Sequence, residues 1–442
     1  MATNLSRTSL LRIINARGYA ACPHPLSGVP NAEVKSTILP NKTVVAAVDN
    51  NASLTRVSIV FRAGSRNEDP DNLGVAHVLR TAAGLSTKNC SQFAIIRNIQ
   101  QLGANLTATS DRETICYTLE GTPEAVECAI PFLTEVATQQ EFRPWEISEL
   151  SGRLQLDIAT RPLQLRAIDL LHNAAFRGRG LGNSLFIPKT QIGKISSETL
   201  QHYVASNFVS GRMAVVGSGI SQKELTSFAN SLKIENGEGN NAPSPYVGGE
   251  LRSNKGGQLA FVAVAGEGAA ITNTKEALAF AVLQGALGGG PQVAHGVSDN
   301  GVFRKALGSN PNVSSVAINA SYSDTGLFGL LLAVPTKSAG GALETAVKVL
   351  KSGTVSDEDV RRGKNQLKTS ILFGAESGAD IVRRIGQEAV LTQKATSVDA
   401  LVADVDSVST SDVANALKKA GKKLSLASVG NLAGVPFLDE LK

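Results

Sequence analysis

His77 is the residue whose setting comes nearest to a reactive site. It stands in Gly74-Val-Ala-His77-Val-Leu-Arg80-Thr81, shortly after a strand-like run. The segment reads as a helix, and residues three and four apart on a helix are neighbours, so 77, 80 and 81 share one face. A His-x-x-Glu-His sequence there would set two imidazoles on one zinc ion, with a carboxylate to activate water. This chain has His-x-x-Arg-Thr. One imidazole remains, the base is replaced by a cation and the second imidazole by a hydroxyl. His77 therefore reads as a packed, hydrogen-bonded side chain.

Other chemistry-bearing residues read as structural. Gly217-Ser-Gly219 follows a strand and precedes a helix, but the third glycine of a dinucleotide loop is missing. Gly288 to Gly290 has no following Gly-Lys-Ser/Thr to cradle phosphate. Glu146 and Glu149 sit near a helix start at Pro144, where carboxylates favour the helix dipole. His172, His202 and His295 lie in separate segments without metal-ligand spacing. Cys116 and Cys128 fall in a strand and an apolar helix, as small hydrophobes. With Cys22 and Cys90 they form no CxxC pair. That excludes a Cys-type zinc site, an iron–sulfur pattern and a CxxCH haem attachment. No catalytic, cofactor-binding or metal-binding residue is expected.

The elements that would position these residues fall into two similar halves. Strand-like runs cover 43–48, 57–62, 114–119 and 213–216, then 259–265, 313–320, 327–334 and 424–428. Helix starts are marked by Thr122-Pro123, Ser221-x-x-Glu224 and Ser356-x-x-Asp359. Ser196/Ser409, Ala214/Ala427, Val216/Val429 and Gly217/Gly430 are identities at one constant spacing. Ser110-Asp111 and Ser323-Asp324 keep the same spacing, which points to an internal duplication. The stretch 235–257 is rich in Gly, Asn, Pro and Ser and reads as a linker. The expected fold is α+β, with two homologous lobes at 20–234 and 258–442. Each is a mostly antiparallel sheet with helices packed on one face.

Composition bounds the function. Of 442 residues, 42% are hydrophobic and 18% charged, a core-forming balance. Aromatic content of 5% and a formal charge of +5 argue against a nucleic-acid partner. Apolar runs stop well short of the roughly 18 residues that span a bilayer. Before Glu33 the chain has no acid, and Arg7, Arg12 and Arg17 stand among Ser and Thr. Residues 1–19 thus read as a mitochondrial transit peptide, cleaved after Arg17-Gly18-Tyr19.

Gly74-Val-Ala-His77 resembles the start of the GxAHxxEH zinc motif of the pitrilysin/mitochondrial processing peptidase family, and the resemblance extends over nearly the whole chain after residue 19. It implies a metallopeptidase-like fold in which each lobe is a pair of related α+β units. It also implies a further ligand Glu on a later helix. The matching slot lies near Gln155, which is no Glu, so three of four metal positions are lost and the resemblance implies an inactive member. Asn319 to Gly329 and Gly430 to Leu441 resemble the branch that serves as a core subunit of mitochondrial ubiquinol–cytochrome c reductase, complex III. That branch implies core protein 1, cytochrome b, the c-type cytochrome and the Rieske protein as partners. It implies a dimeric complex and a place on the matrix side of the inner membrane, held there through partners. The non-catalytic α subunit of the processing peptidase is the alternative. It has a longer Gly-rich loop than Leu287 to Gly296.

Overall fold

The computed structural model describes residues 33–441 apart from 51, 240–241, 289–300, 308–312 and 353. The expected transit peptide, His295 and most of the Gly288–Gly290 loop lie outside these residues.

Eleven strands form two sheets among the described residues. The first sheet holds β1 (Val34–Ile38), β2 (Val44–Val48), β3 (Thr55–Phe61), β4 (Asn105–Ser110), β5 (Ile115–Gly121) and β6 (Met213–Ser218), in the order β1-β2-β6-β3-β5-β4. The second holds β7 (Glu250–Asn254), β8 (Leu259–Glu267), β9 (Ser314–Ser321), β10 (Gly326–Pro335) and β11 (Leu424–Gly430), in the order β7-β11-β8-β10-β9. Apart from the extra edge strand β1, the two orders coincide. Each has a single parallel pair, β2 with β6 and β7 with β11, and is otherwise antiparallel. The fold is thus α+β with two homologous lobes. The repeated unit occurs once in each half, with one sheet per half, and not as the pair of units per lobe that the resemblance implied.

Among the fourteen helices of the described residues are α1 (Val75–Thr81), α2 (Pro123–Thr138), α3 (Pro144–Thr160), α4 (Leu163–Phe176), α5 (Thr274–Leu287), α6 (Asp357–Glu376), α7 (Gly378–Thr392) and α8 (Thr410–Lys422). The helix starts expected at Thr122 and Ser356 are there. Each side chain accepts a bond from the backbone N–H three residues on, satisfying an end donor the helix leaves open. Ser221 and Glu224 close a full capping box.

One face of the first sheet meets its own helices, in a core with Ile59, Phe61, Tyr117 and Leu133. Its other face, with Val44, Val60 and Val216, is covered by Ile381, Ile385 and Ala389 of α7, from the second half. Reciprocally, Ala167 and Leu171 of α4, from the first half, cover Phe261, Ala263 and Val429 of the second sheet. The halves exchange a helix. The expectation of helices on one face fails here because strands buried on both sides, such as β2 and β6, need cover on both.

The stretch read as a linker is also more ordered than expected. Its end, Glu250–Asn254, is β7, held parallel to β11. Among the described residues no helix is long and apolar enough to cross a membrane.

Candidate functional site

The loop before α1 decides where His77 points. Gly74 has φ of 95°, a left-handed conformation that favours glycine. A Cβ there would lie 2.5 Å from Ile187, so only glycine admits that neighbour. The first turn of α1 is held by buried Glu68, whose carboxylate accepts the N–H groups of Gly74 (2.8 Å) and Ala76 (2.9 Å). Burial raises the Glu68 pKa to about 8 despite these bonds.

The close approach of Ile187 has a chemical use. Its N–H donates to His77 Nδ1 at 3.2 Å. A backbone amide can only donate, so Nδ1 is unprotonated and the ring proton sits on Nε2. Nε2 faces Asp157 Oδ2 of α3 at 3.3 Å. Burial, and then the charge of Arg80, lower the His77 pKa to about 4. Arg80 lies 3.6 Å from the same Asp157 oxygen. Phe186 packs edge-on to the imidazole with centroids 5.3 Å apart. The guanidinium of Arg161 lies 4.7 Å from the centroid of that ring. The Thr81 hydroxyl donates to the His77 carbonyl at 2.8 Å and turns back along its own helix.

The later helix slot is therefore corrected. Gln155 is exposed, whereas Asp157, just over half a turn further round, flanks buried Leu154 and Ile158 and faces His77. Two possible donors remain in place of one, His77 and Asp157. They do not fit a zinc ion. A zinc site takes three or four protein ligands, and Arg80 already neutralises the carboxylate. The imidazole nitrogen that could turn to a metal carries the proton shared with Asp157. Among the described residues no group of three His, Cys, Asp or Glu could hold a metal.

The remaining candidates are dispersed. His172 is buried in α4; Nδ1 donates to the Ile168 carbonyl (2.8 Å) and Nε2 accepts from the Tyr322 hydroxyl (2.7 Å). Burial lowers its pKa to about 3. His202 is exposed. Glu146 accepts from Ser86 N and Oγ, a structural role, and Glu149 is exposed. Cys116 is half-buried in β5, but Cys128 is exposed on α2, on the side of that helix away from its core.

The densest polar constellation was not among the candidates. It joins the halves. Arg66 pairs with Glu113 (2.6 Å) and with Asp324 (2.6 Å) across the boundary. Glu113 also accepts the Ser323 N–H and hydroxyl at 2.9 and 2.6 Å. Asp111, at the equivalent position of the first half, accepts from Gln387 of α7 at 2.5 Å. Each half's Ser-Asp turn thus bonds the other half. The duplicated Ser110-Asp111 and Ser323-Asp324 were its visible signal.

Comparison with known proteins adds a family to this geometry. The family model described as insulinase (peptidase family M16) matches residues 43–189. The one described as the peptidase M16 inactive domain matches residues 194–367. The chain is 38% identical to the mitochondrial cytochrome b-c1 complex subunit 2 of Mus musculus, over 100% of this chain and 99% of that protein. It is 37% identical to the Homo sapiens protein of the same name, with the same coverage. It is 28% identical to the probable mitochondrial-processing peptidase subunit alpha-1 of Arabidopsis thaliana, over 99% of this chain and 90% of that protein. Two lobes built on one repeat and these matches agree: the chain belongs to peptidase family M16.

Proposed function

We propose that the chain is a non-catalytic core subunit of mitochondrial complex III, the counterpart of subunit 2 of the cytochrome b-c1 complex. The observation that carries the loss of catalysis is Arg80, which occupies the base position and pairs with Asp157 beside a neutral, buried His77. The full-length likeness to subunit 2 supports the choice of complex over the more distant processing peptidases.

In this reading the chain holds no redox centre and acts by surface. Core protein 1, cytochrome b, the c-type cytochrome and the Rieske protein are its partners in a dimeric assembly. It lies on the matrix side of the inner membrane and touches the bilayer only through those partners. Residues 1–19 serve as its address, and the halves 20–234 and 258–442 act as one body joined through 235–257.

A mild-detergent native gel of mitochondria tests the reading. The chain should comigrate with b- and c-type haem, and its depletion should lower assembled complex III and quinol–cytochrome c activity. Intact complex III together with failed precursor cleavage would overturn the reading in favour of the processing peptidase α subunit.

A further inference from the structure

A cleft of about 1040 Å³ opens between the halves, away from the His77 network. One wall comes from β1 and Arg62 of the first half, the other from β9, α5 and α7 of the second.

β9 ends its sheet. The Tyr322 N–H donates to the Thr325 carbonyl across the β9–β10 turn. Bonded pairs alternate in an antiparallel ladder, so Ala320 with Leu327 and Ile318 with Gly329 are the next bonded pairs. Ala317, Asn319 and Ser321 therefore turn their backbone N–H and C=O away from β10. The outward carbonyl of Ala317 is taken by Gln284 of α5 at 2.9 Å. Asn319 and Ser321 line the cleft. An open strand edge is a template for another strand.

Two buried polar atoms in the same cleft have no hydrogen-bond partner: Asn319 Oδ1, an acceptor, and Arg384 Nη2, a donor. Such groups are normally paired. Arg62 also lines the cleft. Its guanidinium donates to the neutral Ser323 hydroxyl at 2.8 Å and has no ion pair of its own among the described residues. The acids nearby are mostly engaged. Glu238 pairs with Lys42, and Glu388 is bound by Arg384 and Thr396. Asp404 stands exposed at the rim.

We infer that this cleft docks an extended polypeptide segment of a partner, paired to the β9 edge and bearing a carboxylate that meets Arg62 and Arg384. The main chain supplies affinity, the Arg62 guanidinium and the unpartnered Nη2 donor of Arg384 select an acid, and Leu278, Val390 and Leu391 offer the segment an apolar floor.

The test is fluorescence anisotropy of the full chain with two labelled Val-Thr decapeptides, one ending in two Asp and one in two Lys. The acidic peptide should bind, and the basic one at least tenfold more weakly. Ser321→Pro should weaken the acidic peptide about tenfold or more, because the Ser321 N–H points outward and the β10 ladder does not use it. Arg62→Gln with Arg384→Gln should abolish the preference for acid. If the basic peptide binds as well as the acidic one, if neither binds, or if Ser321→Pro binds like the wild type, the inference fails. Should Ser321→Pro not fold, hydrogen exchange on the wild-type chain decides. Protection of the Asn319 and Ser321 amides by the acidic peptide supports the inference, and unchanged exchange there overturns it.

Discussion

Replacing Ile385 by alanine should weaken the half of the molecule to which it does not belong by sequence. Ile385 is 0% exposed and packs in one cluster with Val60, Ala214 and Val216 of the first sheet. The site has little freedom to collapse. A Cβ on the neighbouring Gly386 would stand 2.9 Å from Val60 Cγ2, so the helix backbone already lies close to the sheet. A buried Ile→Ala change costs about 2–5 kcal/mol, and sites that relax poorly fall in the upper part of that range. At about 3 kcal/mol the opening equilibrium shifts by roughly two orders of magnitude. Hydrogen exchange followed by mass spectrometry reads this directly. Amides of β2, β3 and β6 should lose more protection than those of β8 and β10. Leu171→Ala in α4 should show the mirror pattern, with the larger loss in β8 and β11, because Leu171 packs on the second sheet. Should Ile385→Ala act chiefly on the second sheet, or cost less than about 1 kcal/mol, the exchange of helices would not be the source of stability argued above.

Three further outcomes are expected. Dialysed wild-type chain should retain no stoichiometric zinc. Arg80→Glu with Thr81→His should gain weak zinc binding that strengthens with Asp157→Glu and not with Gln155→Glu, as measured by metal analysis of each variant. His77 and His172 are held neutral by burial, with pKa values of about 4 and 3 against an ordinary 6.5. At these two sites the unfolded chain therefore takes up protons first, and their contribution to stability should fall as pH drops below about 6.5 and level off below about 3. Denaturation midpoints across that range should show a shallower fall for His77→Gln if the assignment holds. N-terminal sequencing of the mitochondrial protein should begin near Ala20, and a dominant species starting at Met1 or Ala2 would remove the targeting claim.

Much of this architecture was legible because duplication leaves paired marks. The constant spacing of Gly217/Gly430 and Ser110-Asp111/Ser323-Asp324 foretold two like sheets, and the apolar runs located eight of the eleven strands. The three missed strands, β1, β4 and β7, are short, and their side chains are largely exposed or half-buried, so no apolar period announces them. The vacant zinc motif could be read from Arg80 and Thr81 alone. Asp157 could not, because its place depends on how α3 turns relative to α1, which spacing along the chain does not give. The exchanged helices were hidden for a related reason. Ile381, Ile385 and Ala389 show that α7 has an apolar face, but not whose sheet that face covers.

The exchanged helix also sets an order of events during synthesis. The last strand of the first sheet ends at Ser218, yet the helix that covers its outer face ends only at Thr392. A growing chain, or one being threaded through a translocation pore N-terminus first, must carry Val44, Val60 and Val216 uncovered while the residues between are still to come. Such a face invites association with other chains, and contacts this far apart in sequence form slowly. The first half thus cannot finish folding as a nascent domain. Holding chaperones would be needed longest over its outer strands, and release would wait for residues near the end of the chain.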